Sequence, residues 1–146
     1  MTEILIKKLS KDISLPKYET AGSSGMDLAA NIEEEIEILP GKTAIIPTGL
    51  AVSIPNNFEI QIRPRSGLAA RDQISVLNTP GTIDADYRGE LKVILINLSD
   101  TTFIIEKGLR IAQMVLCPII KATLKEVETL EETKRASGGF GSTGIK

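Results

Sequence analysis

Two aspartates stand two positions apart in the stretch Gly81-Thr82-Ile83-Asp84-Ala85-Asp86-Tyr87-Arg88-Gly89. If this stretch is extended, both carboxylates project to one face. There they can hold a metal, or leave one of the pair as a general base. The competing reading is an acidic turn whose Asp side chains bond their own backbone. Asn78 and Tyr87 flank the pair. An Asn amide can read a base edge, and a Tyr ring can pack flat against a sugar. A second centre is Arg65-Ser66-Gly67. A guanidinium, a hydroxyl and adjacent backbone N–H groups at a helix start form a natural anion site. The alternative is a plain N-cap with a solvated Arg. Asp27 closes a Gly/Ser loop, AGSSGMDL, and serves there as a turn or cap residue or in chemistry. Gln113 lies in the apolar run after Gly108, where a buried amide needs a partner.

The absences narrow the chemistry. The chain has no His and a single Cys, Cys117. Ser-His-Asp and Cys-His triads, His-ligated and four-cysteine zinc sites and an intrachain disulfide are therefore excluded. Any general base comes mainly from Asp, Glu, Lys or Tyr. No loop has the GxxxxGK[ST] pattern of a Walker-type triphosphatase. A net charge of −2 gives no footprint for a nucleic acid backbone, though a few local cations can still bind a small anion. No apolar run approaches the roughly 20 residues of a spanning helix. The first residues lack a signal-peptide pattern. Cys117, within MVLCPII, reads as a buried small hydrophobe. A cytoplasmic protein is expected, with no membrane and no nucleic acid partner.

These side chains need a scaffold, and the 146 residues suit about one domain. Aromatics are 3%, whereas Ile occurs 21 times. β-Branched residues fit pleated sheets better than helices. Phe58, Ile60 and Ile62 alternate with Glu59, Gln61 and Arg63, and Ile36 and Ile38 repeat the two-residue period of a half-buried strand. The runs Val93-Ile94-Leu95-Ile96 and Phe103-Ile104-Ile105 read as strands covered on both faces. Pro and Gly punctuate the chain between such runs, which suggests an all-β sandwich or barrel. A helix is predicted from Ser66 as N-cap, and residues 125–133 form a short helix or a strand with a turn. There is no internal repeat.

Residues 135–146 change character. Gly138, Gly139, Gly141 and Gly144 sit among Ser137, Ser142 and Thr143, with Arg135 and Phe140 beside them. Such a segment buries too little to order itself and is expected to be a flexible tail.

Taken in order, AGSSGMDL, RPRSGLA, GTIDADYRGE, GLRIAQ and RASGGFGSTG resemble the five motifs of the homotrimeric deoxyuridine triphosphatases (dUTPases). One departure is visible: Ala136 stands where the tail motif most often has Gly. The resemblance implies an all-β, jelly-roll-like (β-clip) domain over residues 1–134, with residues 135–146 as a tail closing over the active site. It implies a homotrimer whose active sites are shared between subunits. The implied reaction is that of a dUTP diphosphatase: Mg²⁺-dependent hydrolysis of dUTP to dUMP and pyrophosphate by attack of water on the α-phosphorus. Such a reaction limits uracil in DNA and supplies dUMP for thymidylate synthesis.

By the same resemblance, Asp84 is the general base. A carboxylate is a weak base, so positioning and charge stabilisation must supply much of the acceleration. Arg65, Ser66 and Gly67 resemble the phosphate-binding motif, and Asp27 the carboxylate that holds Mg²⁺ through water. Asn78, Thr82, Ile83 and the backbone near Lys92 resemble the hairpin that reads uracil. Tyr87 resembles the ring under the deoxyribose that leaves no room for a 2′-hydroxyl. Gln113 corresponds to a polar contact behind the phosphates. Phe140, followed by Gly141, resembles the tail aromatic that stacks on uracil, and Arg135 the cation that meets the γ-phosphate. A dCTP deaminase of related fold is the nearest rival, against which the Gly-Gly-Phe-Gly tail and the Asp-Tyr pair argue. A non-catalytic trimer that binds dUTP is a rival of another class.

Overall fold

The computed structural model of the chain describes residues 2–140 and Ser142. β1 (Leu5–Lys8), β2 (Met26–Ala29), β3 (Ile36–Ile38), β4 (Thr43–Ser53) and β5 (Phe58–Arg63) precede a short helix, α1 (Ser66–Asp72). β6 (Ile74–Val76), β7 (Gly81–Ile83), β8 (Glu90–Asn97), β9 (Phe103–Ile105) and β10 (Arg110–Pro118) follow it. One four-stranded sheet has the order β1-β4-β8-β6 and the other β2-β10-β5-β7, with β3 and β9 as a separate pair. Neighbours pair antiparallel, and no described pair is consecutive in the chain. The all-β, jelly-roll-like expectation therefore holds. Among the described residues no helix is long and apolar enough to cross a membrane.

The core is aliphatic, as the Ile count implies. Leu28, Ile46, Ile60, Leu91, Leu95 and Ile105 are wholly buried, whereas Phe58 and Phe103 only pack against its edge. Each such Leu or Ile stabilises the fold by roughly 1.5–3 kcal/mol through removal of apolar surface from water.

Three local expectations need correction. Val93 and Leu95 are fully buried, but Ile94 and Ile96 on the opposite face of β8 are only half-buried, and Ile104 is 46% exposed. The continuous apolar runs are thus buried on one face only. Residues 125–133 form neither helix nor strand. Cys117 is half-buried rather than buried, with its Sγ 3.6 Å from the Arg63 guanidinium.

Asn97 ties β3 and the approach to β9 onto β8. Its Nδ2 donates to the Ile38 carbonyl at 2.8 Å and the Thr101 carbonyl at 2.7 Å. Its Oδ1 accepts from the Ser99 N–H at 2.9 Å and the Ser99 hydroxyl at 2.7 Å. The side chain is 0% exposed, so truncation strands several polar groups away from water. Asn97→Ala is expected to destabilise the fold by about 3 kcal/mol, since each orphaned group costs about 1–3 kcal/mol. Denaturant unfolding with an unchanged m-value checks this.

Candidate active site

The first cluster forms where three distant segments meet. β10 pairs with β2 and β5 on its two sides, so Gln113 faces Asp27 on one side and Arg63 on the other. Just past Arg63 the chain turns through Pro64 into α1. The Gln113 Nε2 donates to the Pro64 carbonyl at 3.0 Å and so pins that turn. Arg65 is extended, at φ −90° and ψ 129°, and its carbonyl accepts the Ala69 N–H at 3.0 Å. Arg65, not Ser66, is therefore the N-cap residue. The correction has a chemical consequence. The Ser66 hydroxyl makes no capping bond, and both Ser66 and Gly67 lie open to solvent.

Asp27 holds the guanidinium of Arg65. Arg65 Nε donates to Oδ1 at 2.9 Å and Nη2 to Oδ2 at 3.3 Å. Arg110 Nη1 adds a bond to the same Oδ2 at 3.0 Å, and Arg110 also lies 3.5 Å from Glu19. Arg71 donates from Nε to the Gly67 carbonyl at 3.3 Å. Arg65, Arg71 and Arg110 thus surround one end of β5, a local excess of positive charge that the net charge of −2 conceals. Arg71 and Arg110 escaped the sequence reading as site residues. Arg110 lies inside the GLRIAQ segment, but its partner Asp27 is 83 positions away, so no local pattern shows what it binds.

The second cluster belongs to the connections on either side of β7, which carry the chain from β6 in one sheet to β7 in the other and back to β8. β6 runs along β8 as far as Leu77, whose N–H donates to the Ile94 carbonyl at 2.8 Å. Asn78 then lies in the turn that the Thr79 N–H closes on the Val76 carbonyl at 3.1 Å. A Cβ at Gly81 would come within 3.3 Å of the Asn78 Nδ2, so the missing side chain makes room for that amide. Thr82 and Ile83 continue on β7, and Lys92 is exposed on β8. Asp84 and Asp86 do not share the face of an extended strand. Residues 84–87 make a turn closed by the Tyr87 N–H on the Asp84 carbonyl at 3.1 Å. Both carboxylates are exposed, and no described residue hydrogen-bonds to the Asp84 carboxylate.

Strand register holds these clusters apart within one chain. Ile83 pairs with Ile60 and Gly81 with Ile62, so Asp84 falls beside Glu59 at the start of β5. Arg65 follows the end of β5. From Glu59 to Arg63 the strand covers about 13 Å at 3.3 Å per residue.

In the tail, the hydrogen bonds among the described residues from Thr133 onward close within that segment, among them Arg135 Nε on the Gly138 carbonyl at 2.9 Å. Phe140 is fully exposed, and Gly141 lies outside the described residues. Ala136 adopts φ +46°, a left-handed conformation in which Gly is unstrained, the residue the tail motif prefers there. Within a single chain Arg135 and Phe140 reach neither cluster.

A family model described as dUTPase matches residues 11–144. The chain belongs to the dUTPase family. Curated relatives named deoxyuridine 5'-triphosphate nucleotidohydrolase agree. That of Rickettsia bellii (strain OSU 85-389) is 58% identical over 146 residues, covering 99% of this chain and 97% of the relative. That of Chlamydia pneumoniae is 60% identical over 131 residues, covering 89% and 90%. Among solved structures, a mutant dUTPase of Staphylococcus bacteriophage 80alpha with dUpNHpp superposes with a TM-score of 0.88 at 29% identity, over 99% of this chain and 100% of that one. A mutant dUTPase from phage phi11 of S. aureus, whose structure describes coordination of a structural Mg(II) ion, gives 0.79 at 25% identity, over 89% and 99%. The match spans both clusters and reaches into the tail.

Proposed function

We propose that the chain, an enzyme of the dUTPase family, hydrolyses dUTP to dUMP and pyrophosphate at sites assembled from three copies. The register of β7 on β5 carries the shared-site reading. It sets Asp84 and the arginine cluster at opposite ends of one strand, so a single triphosphate needs them from different chains. Two exposed apolar surfaces support an assembly. Ile45, 61% exposed, pairs with Ile94 on the outer face of β4 and β8. Beyond Ile119, the last of the described residues hydrogen-bonded to the body, Ile120, Leu124 and Leu130 are 97%, 94% and 85% exposed. Apolar side chains displayed this way are expected to be covered by a second copy.

In this reading Arg65, Ser66 and Gly67 bind the phosphates, with Gln113 and Asp27 fixing the turn and the guanidinium behind them. Asn78, Thr82, Ile83 and the Lys92 backbone read uracil, Tyr87 supports the sugar, and Asp84 takes the proton from the attacking water. The tail supplies Arg135 for the γ-phosphate, with Phe140 and Gly141 over the base, and its closure excludes water.

The residues suit Mg²⁺ only in one form. Among the described residues no three His, Cys, Asp or Glu side chains gather to cage a metal. Three guanidinium N–H groups occupy the Asp27 carboxylate, which offers about four lone-pair positions. Room remains for about one water. That fits an ion that arrives on the triphosphate and keeps its own waters, as Mg²⁺ does. When bound, Mg²⁺ neutralises charge on the phosphate oxygens. The unpaired cysteine suits a reducing compartment, and we place the enzyme in the cytoplasm.

Pyrophosphate release from dUTP, dCTP, dTTP and UTP, with and without Mg²⁺, tests the reading. Release is expected from dUTP with Mg²⁺, at least about tenfold above UTP, since a close-fitting pocket rejects an extra hydroxyl by up to about 10²-fold. Ammonia from dCTP would mark a deaminase instead. Tight binding of dUTP without pyrophosphate release would mark a non-catalytic binder.

A further inference from the structure

Gly89 has no conformational need to be glycine. Its φ lies outside the left-handed region, unlike that of Gly49 at +69° or Gly108 at +81°. What the absent side chain accommodates is the Tyr87 ring. A Cβ at position 89 would stand 2.5 Å from Tyr87 Cζ and 3.0 Å from Cε2, and closer still to the phenol oxygen. These three nearest atoms all belong to Tyr87. The ring lies back along the β7–β8 connection, where its hydroxyl donates to the Glu90 carbonyl at 3.1 Å.

We propose that Gly89 is a positioning residue for sugar discrimination: it leaves the space that lets Tyr87 lie flat at the height that excludes a 2′-hydroxyl. The inference rests on the reading of Tyr87 as the support beneath the sugar and deepens it. The ring, not the backbone, is the part that yields to a Cβ. The turn is held separately by the Arg88 Nη1, which donates to the Ala85 carbonyl at 2.7 Å and the Tyr87 carbonyl at 3.0 Å. Tyr87 is 43% exposed and has solvent to swing into. A ring displaced from the Glu90 carbonyl no longer closes the space under C2′.

The test compares kcat/KM for dUTP and UTP in Gly89→Ala, Tyr87→Ala and the double variant. Gly89→Ala is expected to lower the dUTP/UTP ratio by about tenfold, within the range that pocket shape commands. In the Tyr87→Ala background the same change should have no further effect, because the added Cβ meets no ring. A ratio unchanged by Gly89→Ala, while Tyr87→Ala collapses it, overturns the role of Gly89 and leaves that of Tyr87 standing. An equal fall in both backgrounds also overturns it, since Gly89 would then act without the ring. A ratio unchanged by Tyr87→Ala sinks the sugar-support reading itself. The ring can be followed directly, because the chain has no Trp and two Tyr. With Tyr18→Phe, Tyr87 is the remaining fluorophore, and Gly89→Ala should raise its quenching by acrylamide. Unchanged quenching overturns the proposal. Should Gly89→Ala fail to fold, the double variant decides. Folding restored by Tyr87→Ala shows that the added Cβ meets the ring and supports the proposal. Failure to fold there too overturns it, since the clash is then not with the ring.

Discussion

Asp84→Asn is expected to cut kcat for dUTP by about 10²–10⁴-fold, the usual cost of losing a general base. The fold should tolerate the change. Asp84 is exposed, its carbonyl rather than its carboxylate closes the turn to Tyr87, and no described residue leans on the carboxylate. Its stability should stay within about 0.5 kcal/mol of the parent, as for surface substitutions generally. Substrate binding should persist, because the amide keeps the size and hydrogen bonding of the acid but cannot take a proton from water. Single-turnover pyrophosphate release, with dUTP binding measured separately, distinguishes lost chemistry from lost affinity. Near-normal turnover would move the base elsewhere. Asp86, on the same turn and equally exposed, is next in line.

Mixing two inactive variants is expected to restore about a quarter of the sites. One chain carries Asp84→Asn; the other ends at Lys134 and lacks the tail. Each alone should be nearly inactive. If base and tail at one site come from different chains, a competent site takes Asp84 from a truncated chain and the tail from an Asp84→Asn chain. Random co-refolding at equal amounts gives one half times one half, or about a quarter, in a closed threefold ring with independent sites. Both variants keep Asp27, Arg65 and Ser66, so the phosphate end is complete in every ring. Sizing must first show that mixed rings form. Activity that stays at the parental level in such rings would place base and tail on one chain and sink the shared arrangement, even with the reaction intact.

Much of the strand content was legible in the chain because alternation is a local property. Successive side chains of a strand point to opposite faces, so Phe58, Ile60 and Ile62 declare a buried face wherever their strand is placed. What Asp84, Ser66 and Tyr87 are able to do chemically was likewise written in residue type. Burial of a run was less legible. Apolar composition at Ile94 and Ile96 says only that a face can be covered, and in one chain it is covered just in part. The N-cap fell one residue early because capping depends on the φ and ψ of Arg65, to which the preference of Ser for that position is only a weak guide.

The tertiary structure alone decided which residues share a place. Asp27, Arg65 and Arg110 meet across separations of 38 and 83 positions. No local propensity encodes such a meeting; it follows from β10 pairing with β2 on one edge and β5 on the other. The distance between Asp84 and the arginines was equally invisible, since they lie 19 positions from Arg65 to Asp84 along the chain. A shift of β7 against β5 would change that distance without altering a residue. Register is set by which faces must be buried together, a condition on the whole core. The sequence by itself therefore determined the reactive groups and the strands that carry them. Packing of distant strands determined that one chain holds the two clusters at opposite ends of β5.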